Sequence, residues 1–288
     1  MRCFSDSERR WLALPDAPRR TTTLPPVRSL TPQNRELFMN LARREIRGRY
    51  KGSWLGVLWT LVIPLLMMLS YTLIFSVIFQ VVDIPHYPLF LMTGLALWVF
   101  FGNSIVVAAT SLLGNADLIK KVKFPREVVP LAAISSQAIT AAVMLAILIP
   151  LNVVFMPGSR WTLVLLPVGI IASCALVLGL SFALSVINVY FRDTEHIISA
   201  LLLPWFFITP ILYTYDSFPL ATSHEWVVTV LETVNFATPF VLFLQDVLFW
   251  GRWPQPWVVA YVLIAGAVFL ALGYWVFRKL QRDLAVEL

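Results

Sequence analysis

Charge is scarce in this chain, and where it is missing says more than how little there is. Asp, Glu, Lys and Arg make up 13% of the 288 residues, roughly half the share found in an ordinary soluble domain. Hydrophobic residues make up 59%, and the mean hydropathy is +0.78. Too little polar surface remains to face water all round, so an all-α membrane protein is expected. Six apolar stretches, 56–79, 89–113, 128–155, 162–187, 197–213 and 257–277, hold no Asp, Glu, Lys, Arg or His. An ion-coupled transporter needs an intramembrane carboxylate or base to carry its proton or cation. Its absence from these stretches argues against secondary transport and for a pore that is passive or powered from outside the membrane.

Other chemistry is missing as well. The two cysteines, Cys3 and Cys174, lie in the N-terminal tail and inside an apolar run, which is no disulfide framework, and neither has metal-ligand spacing. The three histidines, His86, His196 and His224, stand far apart in loops and read as surface or interfacial residues. No G-x-x-x-x-G-K-[ST], H-E-x-x-H or G-x-S-x-G occurs, so the chain lacks a P-loop for nucleotide and the commonest hydrolase signatures. No catalytic residue, metal site, cofactor or nucleic-acid partner is expected. The first 35 residues contain no apolar run of the signal-peptide kind, so the first span is expected to act as its own insertion signal.

What is present divides into three parts. Residues 1–33 carry Pro15, Pro18, Pro25, Pro26 and Pro32 with five arginines before Arg28, the composition of a flexible cytoplasmic tail. A helix is predicted from Thr31 as N-cap, with Pro32 at the first helical position, to about Lys51. Leu37, Phe38, Leu41 and Ala42 share one side of it, while Arg43, Arg47 and Lys51 recur every fourth residue on the other. Arg44 and Arg49 add charge, and Glu45 and Arg49 interrupt the apolar side. Residues 34–55 therefore read as an amphipathic interface helix, with a solvated basic helix as the alternative. Residues 56–288 form a domain of six transmembrane helices, most of them longer than the ~20 residues that cross the hydrocarbon. The fifth is short and carries Pro204 and Pro210, which predicts a broken or re-entrant helix. The apolar segment 227–250 that follows contains Glu232, Pro239, Gln245 and Asp246, and reads as short re-entrant outer helices rather than a seventh crossing.

Positive charge orients the chain. Of the 22 Lys and Arg residues, 20 fall in the N-terminal segment, the loops 114–127 and 188–196, and the C-terminal tail. By the positive-inside rule both termini are cytoplasmic, in a multi-pass protein of the cytoplasmic (inner) membrane.

The loop 114–127 contains a short amphipathic segment stopped by Pro125. Asn115 or Asp117 is placed to cap it, Leu118, Ile119 and Val122 form an apolar stripe, and its lysines hold it at the membrane surface. Such a helix between two spans makes a rigid peg for a soluble partner; an ordinary positive-inside loop is the alternative. The next loop, 188–196, places Arg192 and Asp193 at the cytoplasmic membrane boundary, where mutual neutralisation lowers the cost of partial burial. A plain boundary turn accounts for them as well.

Three segments carry a resemblance. Arg49-Tyr-Lys-Gly-Ser-Trp-Leu-Gly-Val-Leu-Trp-Thr-Leu-Val-Ile-Pro64 resembles the entry to the first span of type-2 ABC exporter permeases. Asn115-Ala-Asp-Leu-Ile-Lys-Lys-Val-Lys-Phe-Pro-Arg-Glu127 is similar to the coupling segment of the same family. Asn188-Val-Tyr-Phe-Arg-Asp193, followed by Pro204-Trp-Phe-Phe-Ile-Thr-Pro-Ile-Leu-Tyr213, resembles its connection between the fourth and fifth spans. The subgroup is the one that exports O-antigen, teichoic acid, capsule and related envelope glycans. The likeness runs in order from about Arg35 to Lys279 and leaves out the tail 1–33.

The resemblance implies a permease paired with a second copy of itself and with two ABC ATPase subunits, which would bind ATP and Mg. It implies that Asn115, Ala116, Asp117, Leu118, Ile119, Lys120, Lys121, Val122, Lys123 and Phe124 sit in a groove of the ATPase. Closure of the ATPases would push on this peg and shift spans one and five at the permease dimer interface. The substrate implied is a lipid-linked glycan leaving the cytoplasm, with membrane lipids around the bundle. Sugar C–H faces pack on aromatic rings, so an uncharged, aromatic-lined path suits a sliding polymer. Tyr71, Phe75, Trp98, Phe101, Trp205 and Phe206 are the mid-span candidates for its lining; membrane-interface belts are the alternative role for such rings. Arg44, Arg47, Arg49 and Lys51 are placed to attract a phosphate-linked carrier or simply to anchor the helix. A permease for a drug, lipid or other small hydrophobic molecule is the second reading. A membrane glycosyltransferase would need catalytic acids, and Asp216, Glu225 and Glu232 in the outer loop show no recognisable arrangement.

Overall fold

The computed structural model describes residues 32–52, 54, 56–80, 84–122, 124–215, 231–282 and 284–288, and among them every regular element is helical. The tail expectation, the Thr31 cap, Lys123, Asp216, His224 and Glu225 lie outside the described residues. The elements are α1 (Pro32–Tyr50), α2 (Trp59–Ile78), α3 (Tyr87–Gly114), α4 (Ala116–Lys121), α5 (Val128–Phe155), α6 (Ser159–Tyr190), α7 (Thr194–Ile208), α8 (Thr238–Trp250), α9 (Pro256–Leu280) and α10 (Leu284–Glu287). Five of these, α2, α3, α5, α6 and α9, are long and apolar enough to cross a membrane.

The fifth apolar stretch differs from the rest. α7 has 15 residues, about 22 Å of helix against the ~30 Å of hydrocarbon. It stops at Ile208 because Thr209, held extended before Pro210, cannot continue the helical backbone. The segment 209–212 then runs through the protein interior without regular structure, with Thr209 and Ile211 fully buried. Backbone of this kind survives at membrane depth only if its polar groups are satisfied by protein. Here Gln245 Nε2 donates to the Pro210 carbonyl at 3.0 Å, and the Tyr87 hydroxyl donates to the Leu212 carbonyl at 2.7 Å. Gly94 on α3 makes the room, since a Cβ there would stand 2.9 Å from the Ile211 side chain.

α3 is the centre of the bundle. In its most apolar window 72% of the residues are buried, against 6% for α2, whose Ile63, Leu66, Leu69 and Val77 are all exposed. α3 packs on α5 and α6, and α9 lies along α6. The α6–α9 approach is close enough for backbones to touch, because glycines meet glycines: a Cβ on Gly273 would fall 1.8 Å from the Gly179 carbonyl oxygen. Small residues at such crossings are the usual means of helix association in lipid, where burial of apolar area supplies no net drive.

A second core closes the end of the bundle that carries α4. Leu41 and Ala42 of α1, Leu112 of α3, Ile119 of α4, Val128 of α5, Val186 of α6 and Phe277 of α9 meet there. The apolar side of α1 is thus seated on protein, while Arg43, Arg47 and Lys51 stay exposed.

Candidate functional site

The candidate peg is α4, six residues with Asp117 in its first turn and Lys120 and Lys121 in its last, each charge placed at the helix end whose dipole has the opposite sign. Its orientation divides the predicted segment into a buried and an exposed side. Ile119 is buried in the α4-end core and Leu118 packs against it, so those two residues hold the peg to its own chain. Asp117, Lys120, Lys121 and Val122 are exposed, Ala116 and Phe124 half-buried. Asn115 occupies the cap position but makes no side-chain cap. Its amide donates back to the Ser111 carbonyl of α3 at 2.8 Å, and its Oδ1 accepts from Arg44. The cap prediction fails because α1 offers this buried amide a charged donor, a stronger partner than a neutral backbone N–H.

The far side of the peg is fastened too. Arg126 donates to the Gln281 carbonyl beyond α9, and burial pulls its guanidinium pKa down against the opposing pull of Glu127 and Tyr190. Glu127 lies 3.5 Å from Arg278, and the Tyr190 hydroxyl donates to the Leu280 carbonyl at 2.8 Å. The Arg126 and Tyr190 contacts satisfy carbonyls at the end of α9 that no longer have intrahelical donors. On α1, Arg49 Nη1 donates to Gln137 Oε1 of α5 at 3.0 Å. Arg192 and Asp193 are both exposed in the turn between α6 and α7; the ion pairs among the described residues, Glu127–Arg278 and Asp246–Arg252, lie elsewhere.

The six candidate aromatics come together in one ladder. From α2, Phe75 and Tyr71 lie 6.4 Å apart between ring centroids, and Tyr71 reaches Phe206 of α7 at 5.5 Å. Phe206 meets Trp98 of α3 at 5.7 Å, Trp98 meets Phe101 at 5.5 Å, and Phe101 meets Trp205 edge-on at 5.2 Å. Trp205 continues to Phe236 at 4.8 Å, and Phe236 to Phe269 of α9 at 4.7 Å. Trp98, Phe101 and Phe206 are buried within the chain; Tyr71, Phe75 and Trp205 are half-buried. The ladder has one polar rung: Trp205 Nε1 donates to Asn235 Oδ1 at 2.7 Å, and Asn235 Nδ2 donates to Thr209 Oγ1 at 2.9 Å.

With this geometry in place, the comparisons with known proteins fall on the same segments. Residues 36–231 match the family described as ABC-2 type transporter. The chain is 31% identical over 253 residues to the O-antigen export system permease protein RfbA of Myxococcus xanthus, covering 88% of this chain and 95% of that one. It is 30% identical over 249 residues to a protein of the same name from Klebsiella pneumoniae, covering 85% and 92%. The chain belongs to the ABC-2 type transporter family. Membership makes it a multi-pass membrane component of an ABC transporter.

In this ABC-2 chain several residues that organise the site escaped sequence reasoning. Asn188, Gln245, Asn235 and Gln137 are buried polar side chains in apolar surroundings. The available signal was the mere presence of an amide inside or beside an apolar run, which demands a partner without naming it. Arg126 and Glu127 were visible only as the end of the loop motif 115–127, and Arg278 only as a positive-inside charge.

Proposed function

We propose that this chain is the permease subunit of an ATP-driven exporter that moves a lipid-linked polysaccharide from the cytoplasm across the cytoplasmic membrane. The observation that carries the reading is the likeness, over more than 90% of their length, to permeases named for O-antigen export in two genera. Two copies of the chain pair with two ATPase subunits, which bind ATP and Mg. Both termini lie in the cytoplasm, and α7 with its interior break completes the sixth crossing. α1 rests at the interface with its basic side toward water and headgroups, and the tail 1–33 precedes the membrane domain in the cytoplasm.

The exposed face of α4, with Asp117, Lys120, Lys121 and Val122, meets the ATPase groove, while Leu118 and Ile119 bind the peg to the bundle. The ladder from Phe75 to Phe269 supplies the sugar-facing rings, opened when the two copies separate along α2 and α7. Its lack of charge leaves a sliding polymer no strong sticking point.

The test is co-purification with the ATPase. Lys120→Glu with Lys121→Glu alters only exposed side chains, whose replacement ordinarily changes stability by about 0.5 kcal/mol or less. The variant is expected to reach the membrane at normal level, lose its ATPase and stop exporting glycan. Normal export by the variant would remove the peg from the mechanism.

A further inference from the structure

The loop 188–196 contains a residue whose contacts exceed those of a boundary turn. Asn188, at the end of α6, is fully buried, and both ends of its amide are used. Nδ2 donates to the Ala109 carbonyl of α3 at 3.0 Å. Oδ1 accepts from the Glu195 backbone N–H, in the first turn of α7, at 3.2 Å. One side chain therefore joins three helices at the α4 end of the bundle.

The place it grips on α3 is significant. Ala109 lies six residues before Asn115, about 9 Å along the helix. On that short length of α3, Asn115 receives Arg44 from α1 and Asn188 holds α7. From Glu195 to Trp205 is ten residues, about 15 Å of α7. With the near end of α7 fixed, a tilt of about 10° moves Trp205 by roughly 2.6 Å over that 15 Å arm, a displacement comparable to helix shifts in known switching proteins.

We propose that Asn188 is a positioning residue that pins the start of α7 to the end of α3, so that displacement of the peg is delivered to the aromatic ladder through α7. The proposal rests on the peg-coupled export reading above. Without the amide, α3 still moves with the peg, but α7 no longer follows it in register.

The test uses the whole complex of permease and ATPase and measures ATP hydrolysis and glycan export on the same preparation. Asn188→Ala removes both bonds. Glu195→Pro removes the N–H that donates to Oδ1, in the first helical turn where that N–H has no intrahelical acceptor, and Glu195→Ala, which loses only the carboxylate, is its control and is expected to keep the wild-type ratio of export to hydrolysis. Asn188→Ala and Glu195→Pro are expected to assemble and to hydrolyse ATP within about twofold of wild type, while export per ATP falls about tenfold, the size of one lost buried hydrogen bond expressed as a rate. A residue that merely supports the fold would lower the yield of complex, or both activities in proportion. A proportional loss, or an unchanged ratio of export to hydrolysis in Glu195→Pro, overturns the proposal. If the wild-type complex itself fails to export glycan, the export reading fails and takes the pin with it. If Lys120→Glu with Lys121→Glu leaves the ATPase bound, the peg assignment falls, and the pin that transmits its displacement falls with it.

Discussion

The α6–α9 crossing sets a sharp quantitative expectation. A Cβ added at Gly273 would stand 1.8 Å from the Gly179 carbonyl oxygen and 2.4 Å from its carbonyl carbon, and one at Gly179 would stand 2.1 Å from the Phe269 oxygen. To bring the first of these to the 3.4 Å of ordinary van der Waals contact, the helices must separate by about 1.6 Å at the crossing. The opposing atoms are main-chain atoms committed to helical hydrogen bonds, so no side-chain rotation relieves the clash. Overpacking of this kind costs about 1–3 kcal/mol, and Gly273→Ala belongs toward the upper end even after the 0.5–1 kcal/mol or so that Ala gains over Gly in a helix. A chain of this size loses roughly 2–4 °C of Tm per kcal/mol, so the expected fall is roughly 4–12 °C in detergent-solubilised protein followed by fluorescence. Gly179→Ala should behave alike, and the double variant should cost less than the sum because both relieve the same crossing. Gly48→Ala on α1, where an added Cβ meets nothing within 4 Å, should be neutral or slightly stabilising. If Gly273→Ala melts with Gly48→Ala, the backbone contact between α6 and α9 is not what holds α9 in place.

Two further expectations follow from single side chains. Trp205→Phe keeps the ring contacts but removes the donor to Asn235, and should cost about 1 kcal/mol in unfolding experiments; Trp205→Ala and Trp98→Ala should lower glycan export, and if both are silent the sugar path lies elsewhere. Asp246 accepts from Arg252 Nε at 2.6 Å, yet its side chain is only 7% exposed, and burial raises its pKa despite that neighbour. The folded state therefore holds this proton above the ordinary aspartate value of about 3.9. Its contribution is fully present below that value and is lost as pH rises through the raised one. Asp246→Asn should accordingly be no less stable than wild type at neutral pH and should flatten the slope of Tm between about pH 4 and neutrality. A variant that is less stable at neutral pH with the wild-type slope would contradict the sign.

Much of the architecture was legible in the sequence because lipid imposes a simple rule on composition. The apolar run 128–155 coincides with α5 and the helix starting at Pro32 was signalled by proline itself; of the two prolines read as breaking the fifth span, Pro210 follows the end of α7, whereas Pro204 lies inside the helix. Tyr71, Phe75, Trp98, Phe101, Trp205 and Phe206 could be named as mid-span rings, but their contact with one another depends on which helices are neighbours. The rest depended on which helices are neighbours, and hydropathy cannot supply that. Leu118 and Ile119 read only as part of an apolar stripe, because an amphipathic pattern states that one side is buried, not against what. Asn115 read as a cap because Arg44 is 71 residues away. Asn188, Gln245 and Asn235 each find partners across helices whose pairing no local pattern encodes.

The irregular segment 209–212 has a consequence for how the protein is made. Its carbonyls are capped by Tyr87, which the ribosome has already delivered, and by Gln245, which it has not. When α7 leaves the translocon, the Pro210 carbonyl has no donor, and lipid offers none. The segment can leave the insertion channel for the bilayer only with α8, docked on the Gly94 face of α3. α7 and α8 are therefore expected to insert together, because an unpaired carbonyl in lipid is costly.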